Sequence, residues 1–303
     1  MRWRTLVTIV KQTVSDWLDD DASRLAASLA FYTLLSMAPL VIIAVAVAGV
    51  VLGPEAARGQ IADELSRVVG RDAARGIQAV VASAQSQKSG TIGTIIGVVT
   101  LFVGASGVFG ELQYALNAVW EVRAKSGRGI LGEVKDRFFS FTMVLGVAFL
   151  LLVSLLLSAL LSAFGHSFAP LLPGGELVWQ VCNFVFSLAL ITGLFALIFK
   201  YVPDVEIAWR DVWAGAAVTA LLFTIGKSLL GIYLGKASIG SSYGAAGSLV
   251  VLVVWVYYSA QILFLGAEFT QVQAKLRGRS IRPSRKAVAF RRGAEPSEPR
   301  VSV

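Results

Sequence analysis

The sequence has few of the side chains that most enzymes use for catalysis. Its 303 residues include a single histidine, His166, and a single cysteine, Cys182. A zinc site or a Cys–His nucleophile pair needs more than these two, and one cysteine cannot form an intramolecular disulfide. The patterns of a phosphate-binding loop, a serine nucleophile elbow and a zinc-protease helix are also missing. We therefore expect no enzyme activity, no catalytic residue, no metal site and no cofactor.

Charge is also scarce: charged residues make up 15% of the chain, hydrophobic residues make up 56%, and the mean hydropathy is +0.71. A soluble domain of this length could not bury so much apolar surface, so the composition indicates a membrane protein. A helix of about 20 apolar residues crosses the hydrocarbon core. Six stretches in the region 28–271 qualify, and they predict an all-α, polytopic transmembrane domain. The predicted spans are roughly 28–52, 91–110, 138–164, 177–200, 212–234 and 244–268.

Basic residues are distributed unevenly around these spans. Most of the 27 lysines and arginines lie before residue 28, between the second and third spans, between the fourth and fifth, and after the sixth. Cytoplasmic loops of membrane proteins carry an excess of basic residues. The pattern therefore predicts a multi-pass membrane protein with both termini in the cytoplasm.

Three segments outside the spans have compositions of their own. We predict that residues 1–27 form a cytoplasmic, interfacial N-terminal segment. Apolar residues at helical spacing in 53–90 indicate amphipathic helices on the outer face, either as a lid or as a surface element without a separate function. Residues 272–303 are basic and contain Pro and Gly, which predicts a disordered tail that contacts anionic lipid headgroups rather than nucleic acid. The sequence does not decide between a monomer and a homo-oligomer.

The stretch RLAASLAFYTLLSMAPL at residues 24–40 carries polar side chains at intervals of four. Because four residues are little more than one helical turn, these side chains form one stripe along the helix. We predict a polar seam that faces the bundle interior, opposite Glu111 or Glu268, in a helix that Pro39 kinks. The members of the stripe are Arg24, Ser28, Tyr32 and Ser36.

Other polar side chains inside the spans or at their ends are candidates for the same intramembrane or vestibule site. A charge in the hydrocarbon costs roughly 2.5–3.5 kcal/mol, so Lys227 is expected to face a helix or a cavity; the alternative is a lysine that extends to the membrane surface. Pairs such as Arg24 with Glu111 or Glu268 would line a gated vestibule; the alternative is ordinary interfacial charge. The candidates are Glu111, Asn117, Asp204, Arg210, Lys227, Gln261 and Glu268.

Small residues recur at spacings that allow helices to approach closely, and a glycine-rich run also permits a broken helix. The candidates for helix packing or for a hinge are Pro39, Gly104, Gly107, Gly110, Gly231, Gly235, Gly244 and Gly247.

Four segments in order resemble the YihY / virulence factor BrkB family: AASLAFYTLLSMAPL in the first span, GASGVFGELQYALNAVWEV from 104, YVPDVEIAWRDVWAGA from 201 and SYGAAGSLVVLVVWVYYSAQILFLGAE from 242. The resemblance covers roughly residues 10–275. It implies an inner-membrane protein with six spans, with links to serum resistance and to export of envelope lipids. The family's older label, ribonuclease BN, is a misattribution, and this chain lacks the clustered His and Asp residues of a metal-dependent nuclease.

Matching to the family's motifs marks a set of positions as candidates without assigning them roles. These are Arg24, Tyr32, Pro39, Gly104, Gly107, Glu111, Pro203, Asp204, Tyr243, Gly244, Gly247 and Glu268. Two classes of function follow from the sequence. One is transport or flipping of an anionic or amphiphilic envelope molecule without nucleotide hydrolysis. The other is a membrane scaffold or regulator that transports nothing, and a continuous polar cavity between spans would favour the first.

Overall fold

The computed structural model describes residues 3–36, 107–125, 175–236, 247–279 and 281–290, together with isolated positions between 53 and 78. Most of the first three predicted spans, Pro39, Gly104, Gly244 and the predicted outer helices therefore lie outside the described residues. The helices are α1 (Trp3–Asp19), α2 (over 22–36), α3 (over 107–119), α4 (Gly175–Tyr201), α5 (Trp209–Lys236) and α6 (Gly247–Leu276). The strands are β1 (Val122–Ala124), β2 (Val205–Glu206), β3 (Arg282–Pro283) and β4 (Ala287–Ala289).

Among the described residues, three helices are long and apolar enough to cross a membrane: α4, α5 and α6. They correspond to the predicted spans 177–200, 212–234 and 244–268. The last helix continues two turns past its predicted end, to Leu276, because its polar residues there are buried and bonded. Thr270 donates to the Gly266 carbonyl at 2.7 Å, and the Gln271 amide donates to the Val119 carbonyl at 2.7 Å.

The α5–α6 interface is built from two reciprocal glycine–threonine contacts. Gly215 of α5 lies under Thr270 of α6, and Gly266 of α6 lies under Thr219 of α5. Each threonine also donates its hydroxyl to the backbone carbonyl of the glycine four residues earlier in its own helix. Small residues at these positions let two backbones approach closely, and the intrahelical hydrogen bonds leave no buried hydroxyl unsatisfied.

The outer surfaces of α4 and α5 are apolar, as lipid contact requires. Their exposed large side chains include Val181, Phe184 and Val185 on α4, with Leu221, Ile225, Leu229 and Ile232 on α5. At one end of these helices, Tyr201, Trp209 and Trp213 form an exposed cluster with ring centroids 6.0 and 6.4 Å apart. Exposed tyrosine and tryptophan rings concentrate at membrane–water boundaries, so this aromatic cluster marks where the helices leave the membrane.

Beside the aromatic cluster, four segments assemble into a structure that we call the cap: residues 120–125, residues 201–211, the end of α6, and residues 281–290, which we call the strap. Two small antiparallel sheets join them, with Arg123 opposite Val288 in the β1–β4 pair and Val205 opposite Pro283 in the β2–β3 pair. The prediction of a disordered tail from residue 272 is therefore wrong as far as residue 290, because backbone pairing with two loops orders the strap.

The turn from α6 into the strap is closed by hydrogen bonds and by an ion cluster. Gly278 adopts a left-handed conformation, with φ of 70°, and the Arg279 amide donates to the Ala274 carbonyl at 3.2 Å, which is a helix-ending Schellman arrangement. Asp211, in the first turn of α5 and 1% exposed, accepts hydrogen bonds from the guanidinium groups of Arg277 and Arg279. The buried carboxylate thus has two charged donors, which satisfies it and fixes the turn.

The largest fully buried side chains, Trp120, Phe199 and Phe264, belong to one hydrophobic cluster with residues from α2 to α6 and from β1. Helix α1 lies against α6 through Ile9, Thr13 and Trp17. Its opposite side exposes an apolar stripe. The stripe consists of Val7, Val10, Val14 and Leu18.

Candidate functional site

Helices α2 and α3 meet along the predicted polar seam and run antiparallel. The Ser28 hydroxyl donates to Glu111 Oε1 at 2.5 Å. One to two turns further along α2, a Cβ added to Gly107 would lie 3.6 Å from the Tyr32 ring and 3.9 Å from Ser36 Oγ. The structure therefore places Ser28, Tyr32 and Ser36 against α3, and Gly107 provides the space that the Tyr32 ring fills.

Arg24, the first member of the predicted stripe, does not join this seam. Its guanidinium lies 3.7 Å from Asp21, and both side chains are largely exposed. The predicted pairing of Arg24 with Glu111 or Glu268 is wrong among the described residues, because Ser28 occupies Glu111 and acidic residues near α1 face Glu268.

An open cleft of about 900 Å³ lies between α3 and the cap. One wall carries the polar side chains of Gln113, Tyr114 and Asn117 from α3. The other wall carries three basic residues, Arg123, Arg285 and Lys286, together with Phe290. The acidic residues Asp20, Glu121 and Asp204 also line the cleft, as does Gly110.

Asp204 is the most extensively bonded residue of the cleft. The Asn117 amide donates to Asp204 Oδ2 at 3.0 Å, and Asn117 Oδ1 accepts from the Asp204 backbone amide at 2.7 Å. Gln113 adds a longer contact of 3.4 Å, and the Ser284 amide donates to the Asp204 carbonyl at 2.9 Å. This clamp joins α3, the loop after α4 and the strap, so it holds the floor of the cleft in one arrangement.

Two acidic residues of the cleft, Glu121 and Asp204, are bonded to partners outside the basic wall. Glu121 lies 3.0 Å from Lys275, and Asp204 is held by amides. On the basic wall, the Arg123 guanidinium lies over the Phe290 ring at 5.6 Å. Within the described parts of the chain, the guanidinium of Arg285 has no acidic partner. The wall therefore retains positive charge that suits an anionic group.

A second cluster of charge lies where α1 packs on α6. Glu268 of α6 is 0% exposed, and its carboxyl oxygens receive no hydrogen bond from donors in the described residues. The charged side chains facing it are Asp20, Asp16 and Lys275. Burial raises the pKa of Asp16; Lys275 opposes that rise, and Glu121 and Asp19 add to it.

Sequence reasoning missed the acidic face of α1. Asp16 and Asp20 are four residues apart and continue the stripe of Ile9 and Thr13, so they share the face that packs on α6. This signal was present in SDWLDDD, where an amphipathic helix carries acids at the positions that continue its buried stripe.

Several other candidates take no part in the cleft or the seam. Lys227 is exposed, and the prediction that it faces a helix or cavity is wrong here, since neighbouring Gly226 is the residue that packs on Tyr258 and Ile262 of α6. Gly231 faces open space, and Arg210 is exposed outside the cleft. Gly110, in contrast, lines the cleft. Gln261 has a buried amide oxygen without a donor among the described residues, Gly235 lies near the end of α5, and Gly247 begins α6.

The family model described as Virulence factor BrkB matches residues 13–289. The chain belongs to this family. The match extends over the acidic face of α1, the seam and nearly all of the cleft and the strap. The relatives that it matches are named membrane proteins, in agreement with the three described helices of this chain that are long and apolar enough to cross a membrane.

The BrkB-family relatives similar to this chain carry the name UPF0761 membrane protein. The protein of Verminephrobacter eiseniae is 28% identical over 276 residues, covering 88% of this chain and 62% of its own length. That of Tolumonas auensis is 31% identical over 200 residues, or 62% of each protein. That of Rhodospirillum centenum is 27% identical over 269 residues, or 87% of this chain and 57% of its own length. The chain thus spans about three fifths of these relatives, and no solved structure matches it.

Proposed function

We propose that this BrkB-family protein moves an anionic amphiphile of the bacterial envelope across the cytoplasmic membrane, and that the cleft under the cap is the cytoplasmic entrance. The movement involves no nucleotide hydrolysis and no catalytic residue. The protein acts by offering the headgroup a polar route through the membrane, where crossing the hydrocarbon would otherwise cost several kcal/mol.

The observation that carries the proposal is the continuity between the cleft and the seam. Gly107, Glu111, Tyr114 and Ala118 follow one another at four- and three-residue spacing, so they form a single stripe on α3. Tyr114 and Ala118 line the cleft, whereas Glu111 and Gly107 form the seam with α2. One face of α3 therefore extends from the cleft to the seam, and it carries the polar side chains of Tyr114 and Glu111.

The composition of the cleft favours an anionic and amphiphilic substrate. Arg123, Arg285 and Lys286 present positive charge on one wall, while Tyr201 and Phe290 contribute apolar surface to the same lining. A phosphate-bearing headgroup with an attached hydrocarbon chain would satisfy both parts, because arginine binds phosphate oxygens bidentately and aromatic rings accept the apolar part.

The proposed orientation places the cap in the cytoplasm. The cap and the segments beside it contain most of the basic residues in the described chain, and basic residues concentrate on the cytoplasmic side. A single cysteine introduced at exposed Val288, in a Cys182→Ser background, tests this. An impermeant maleimide added to intact cells should leave it unlabelled, and permeabilised cells should show full labelling.

Reconstitution in liposomes tests the proposed function directly. The vesicles would contain phosphatidylglycerol with a fluorescent label on one acyl chain. A membrane-impermeant reductant destroys the fluorescence of label in the outer leaflet, so the loss of signal reports how fast labelled lipid reaches that leaflet. We expect protein to accelerate this movement, with Arg285→Ala slowing it roughly tenfold through loss of one charged contact. Lys227→Ala is the matched control, since it removes a cation that lies outside the cleft, and its rate should equal that of the wild type.

Rates at the level of empty vesicles for wild type and both variants would contradict the proposal, provided that uptake of soluble anions is also at background. That result would favour the alternative of a membrane scaffold or regulator. Equal acceleration in all three proteins would place the route elsewhere than in the cleft.

A further inference from the structure

Three carboxyl groups converge where α1 packs on α6, and they belong to Asp16, Asp20 and Glu268. Glu268 is fully buried and receives no donor from the described residues. Lys275 also faces Glu268, and its Nζ lies 3.0 Å from Glu121 Oε1. A carboxyl group that is fully buried without a donor is most stable when it holds a proton.

Asp20 and Glu268 face each other closely enough for a hydrogen bond between their side chains. Two carboxylates cannot form that bond, because both are acceptors only. With one proton, the O–H of one carboxyl donates to the oxygen of the other, and the pair carries a single charge. Buried carboxyl pairs share a proton for this reason.

We propose that Asp20 and Glu268 form a proton-binding pair, and that its proton is the coupling ion of the proposed transport. The second part rests on the proposed function, whereas the first does not. The class of ligand is the hydrogen ion, bound between two carboxyl oxygens.

The position of the pair gives the proton a way in. Asp20 lines the cleft, which is open to solvent, whereas Glu268 lies behind it in the interface. A proton that reaches Asp20 from the cleft needs one further hydrogen-bond step to reach Glu268. Loading and release of the proton therefore occur at the proposed entrance for the substrate.

The pair also provides a way to move α1. When the proton leaves, two negative charges face each other beside Asp16, in an interface where Thr13 Oγ1 and Trp17 Nε1 have no hydrogen-bond partner among the described residues. Repulsion then pushes α1 away from α6, and Asp20, at the edge of the cleft, moves with it. Deprotonation widens the cleft and protonation closes it.

Infrared spectroscopy of the purified full-length protein in vesicles tests the pair without any transport measurement. A protonated carboxyl has a carbonyl stretch separate from that of a carboxylate. We expect wild type at neutral pH to show this band, and both Glu268→Gln and Asp20→Asn to lose it. Either amide supplies the N–H that replaces the proton, so both variants are expected to fold. Asp19→Asn, an exposed acid beside the pair, is the matched control and should keep the band.

Absence of the band in wild type, or its persistence in both amide variants, would overturn the proton site. In the vesicle assay, an imposed pH gradient should change the wild-type rate several-fold and leave Glu268→Gln unaffected. A band without any lipid movement would retain the proton site and contradict the proposed function. If the wild type shows the carboxyl band and moves lipid at a rate that the pH gradient does not change, the proton site stands and only its coupling role is overturned.

Discussion

Thr270 of α6 occupies the space above Gly215 of α5: a Cβ added to Gly215 would overlap its hydroxyl and lie 2.8 Å from its Cβ. The same relationship holds in reverse between Thr219 and Gly266. Because each contact is made against the main part of a β-branched side chain, neither threonine can rotate away without breaking its own intrahelical hydrogen bond. These contacts set the distance between the two helices.

Substituting Gly215 or Gly266 by alanine should therefore destabilise the protein by about 1–3 kcal/mol, the usual cost of inserting a methyl group into a packed interface. Gly231→Ala is the matched control, since that position of α5 faces open space. Unfolding in detergent, followed by fluorescence, measures the difference. Equal stability of Gly215→Ala and Gly231→Ala would contradict the close contact between α5 and α6.

The Ser28–Glu111 hydrogen bond predicts a loss when the hydroxyl is removed. Ser28→Ala leaves Glu111 without its donor, and we expect the free energy of unfolding to fall by about 1–3 kcal/mol, with slower lipid movement. Thr33→Ala, on the same helix, is the control because its hydroxyl donates only to the Leu29 carbonyl of its own helix. An equal loss from both substitutions would mean that the seam adds no stability of its own.

The Asn117–Asp204 clamp predicts that the strap depends on α3. Asn117→Ala removes one donor and one acceptor from Asp204 and should cost about 1–3 kcal/mol in stability. Limited proteolysis of the strap should become faster, since Ser284 is bound to the same aspartate. Gln113→Ala, which removes only the longer 3.4 Å contact, should have a smaller effect. Unchanged proteolysis in Asn117→Ala would contradict the clamp.

Asp16 predicts a pH dependence of stability with a definite sign. Burial raises the pKa of Asp16 in the folded protein above the 3.8 of an exposed aspartate. At a pH between the unfolded and the folded pKa, the folded protein therefore binds more protons at this site than the unfolded chain does. Stability therefore falls as pH rises through that window and stays lower above it. Asp16→Asn should remove this part of the slope, whereas Asp19→Asn should retain it. Thermal unfolding across pH checks the prediction, and identical slopes for wild type and Asp16→Asn would refute it.

The apolar stripe of α1 predicts that the helix lies in the membrane surface. A cysteine at Val10, labelled with a polarity-sensitive fluorophore, should report an apolar environment in vesicles, because Val10 lies on the exposed apolar side. Gln12→Cys, on an exposed polar part of the same helix, should report water. Both variants need Cys182→Ser, since Cys182 is exposed and would react as well. Aqueous signals from both positions would contradict the prediction.

The spans α4 to α6 were predictable because length and apolar composition alone determine which helices can cross a membrane. The four-residue spacing of Ser28, Tyr32 and Ser36 was enough to identify one face of α2, although it could not decide between Glu111 and Glu268 as the residue opposite. That choice depends on how helices distant in sequence pack, and spacing within one helix carries no such information.

The cap was not predictable for a related reason. Its strands contain two or three residues each, too few for an alternating pattern, and they pair across loops far apart in the chain. The composition of the tail from residue 272, which is basic with Pro and Gly, indicated disorder. Gly215 and Gly266 are likewise isolated glycines whose role emerges only when α5 and α6 are placed together, whereas Gly231, chosen for its spacing, faces open space.

The pairing of β1 with β4 also determines when the cap can close during synthesis. The Lys125 side chain donates to the Arg285 carbonyl at 2.9 Å, and the two residues are 160 positions apart. At about 5–20 residues per second, the ribosome needs roughly 8–30 s to produce the second partner after the first. The membrane helices are therefore made and inserted while the cap is still open, and the strap is added last. A chain that stops before residue 281 would contain all six predicted spans but would have no strap to close the cap.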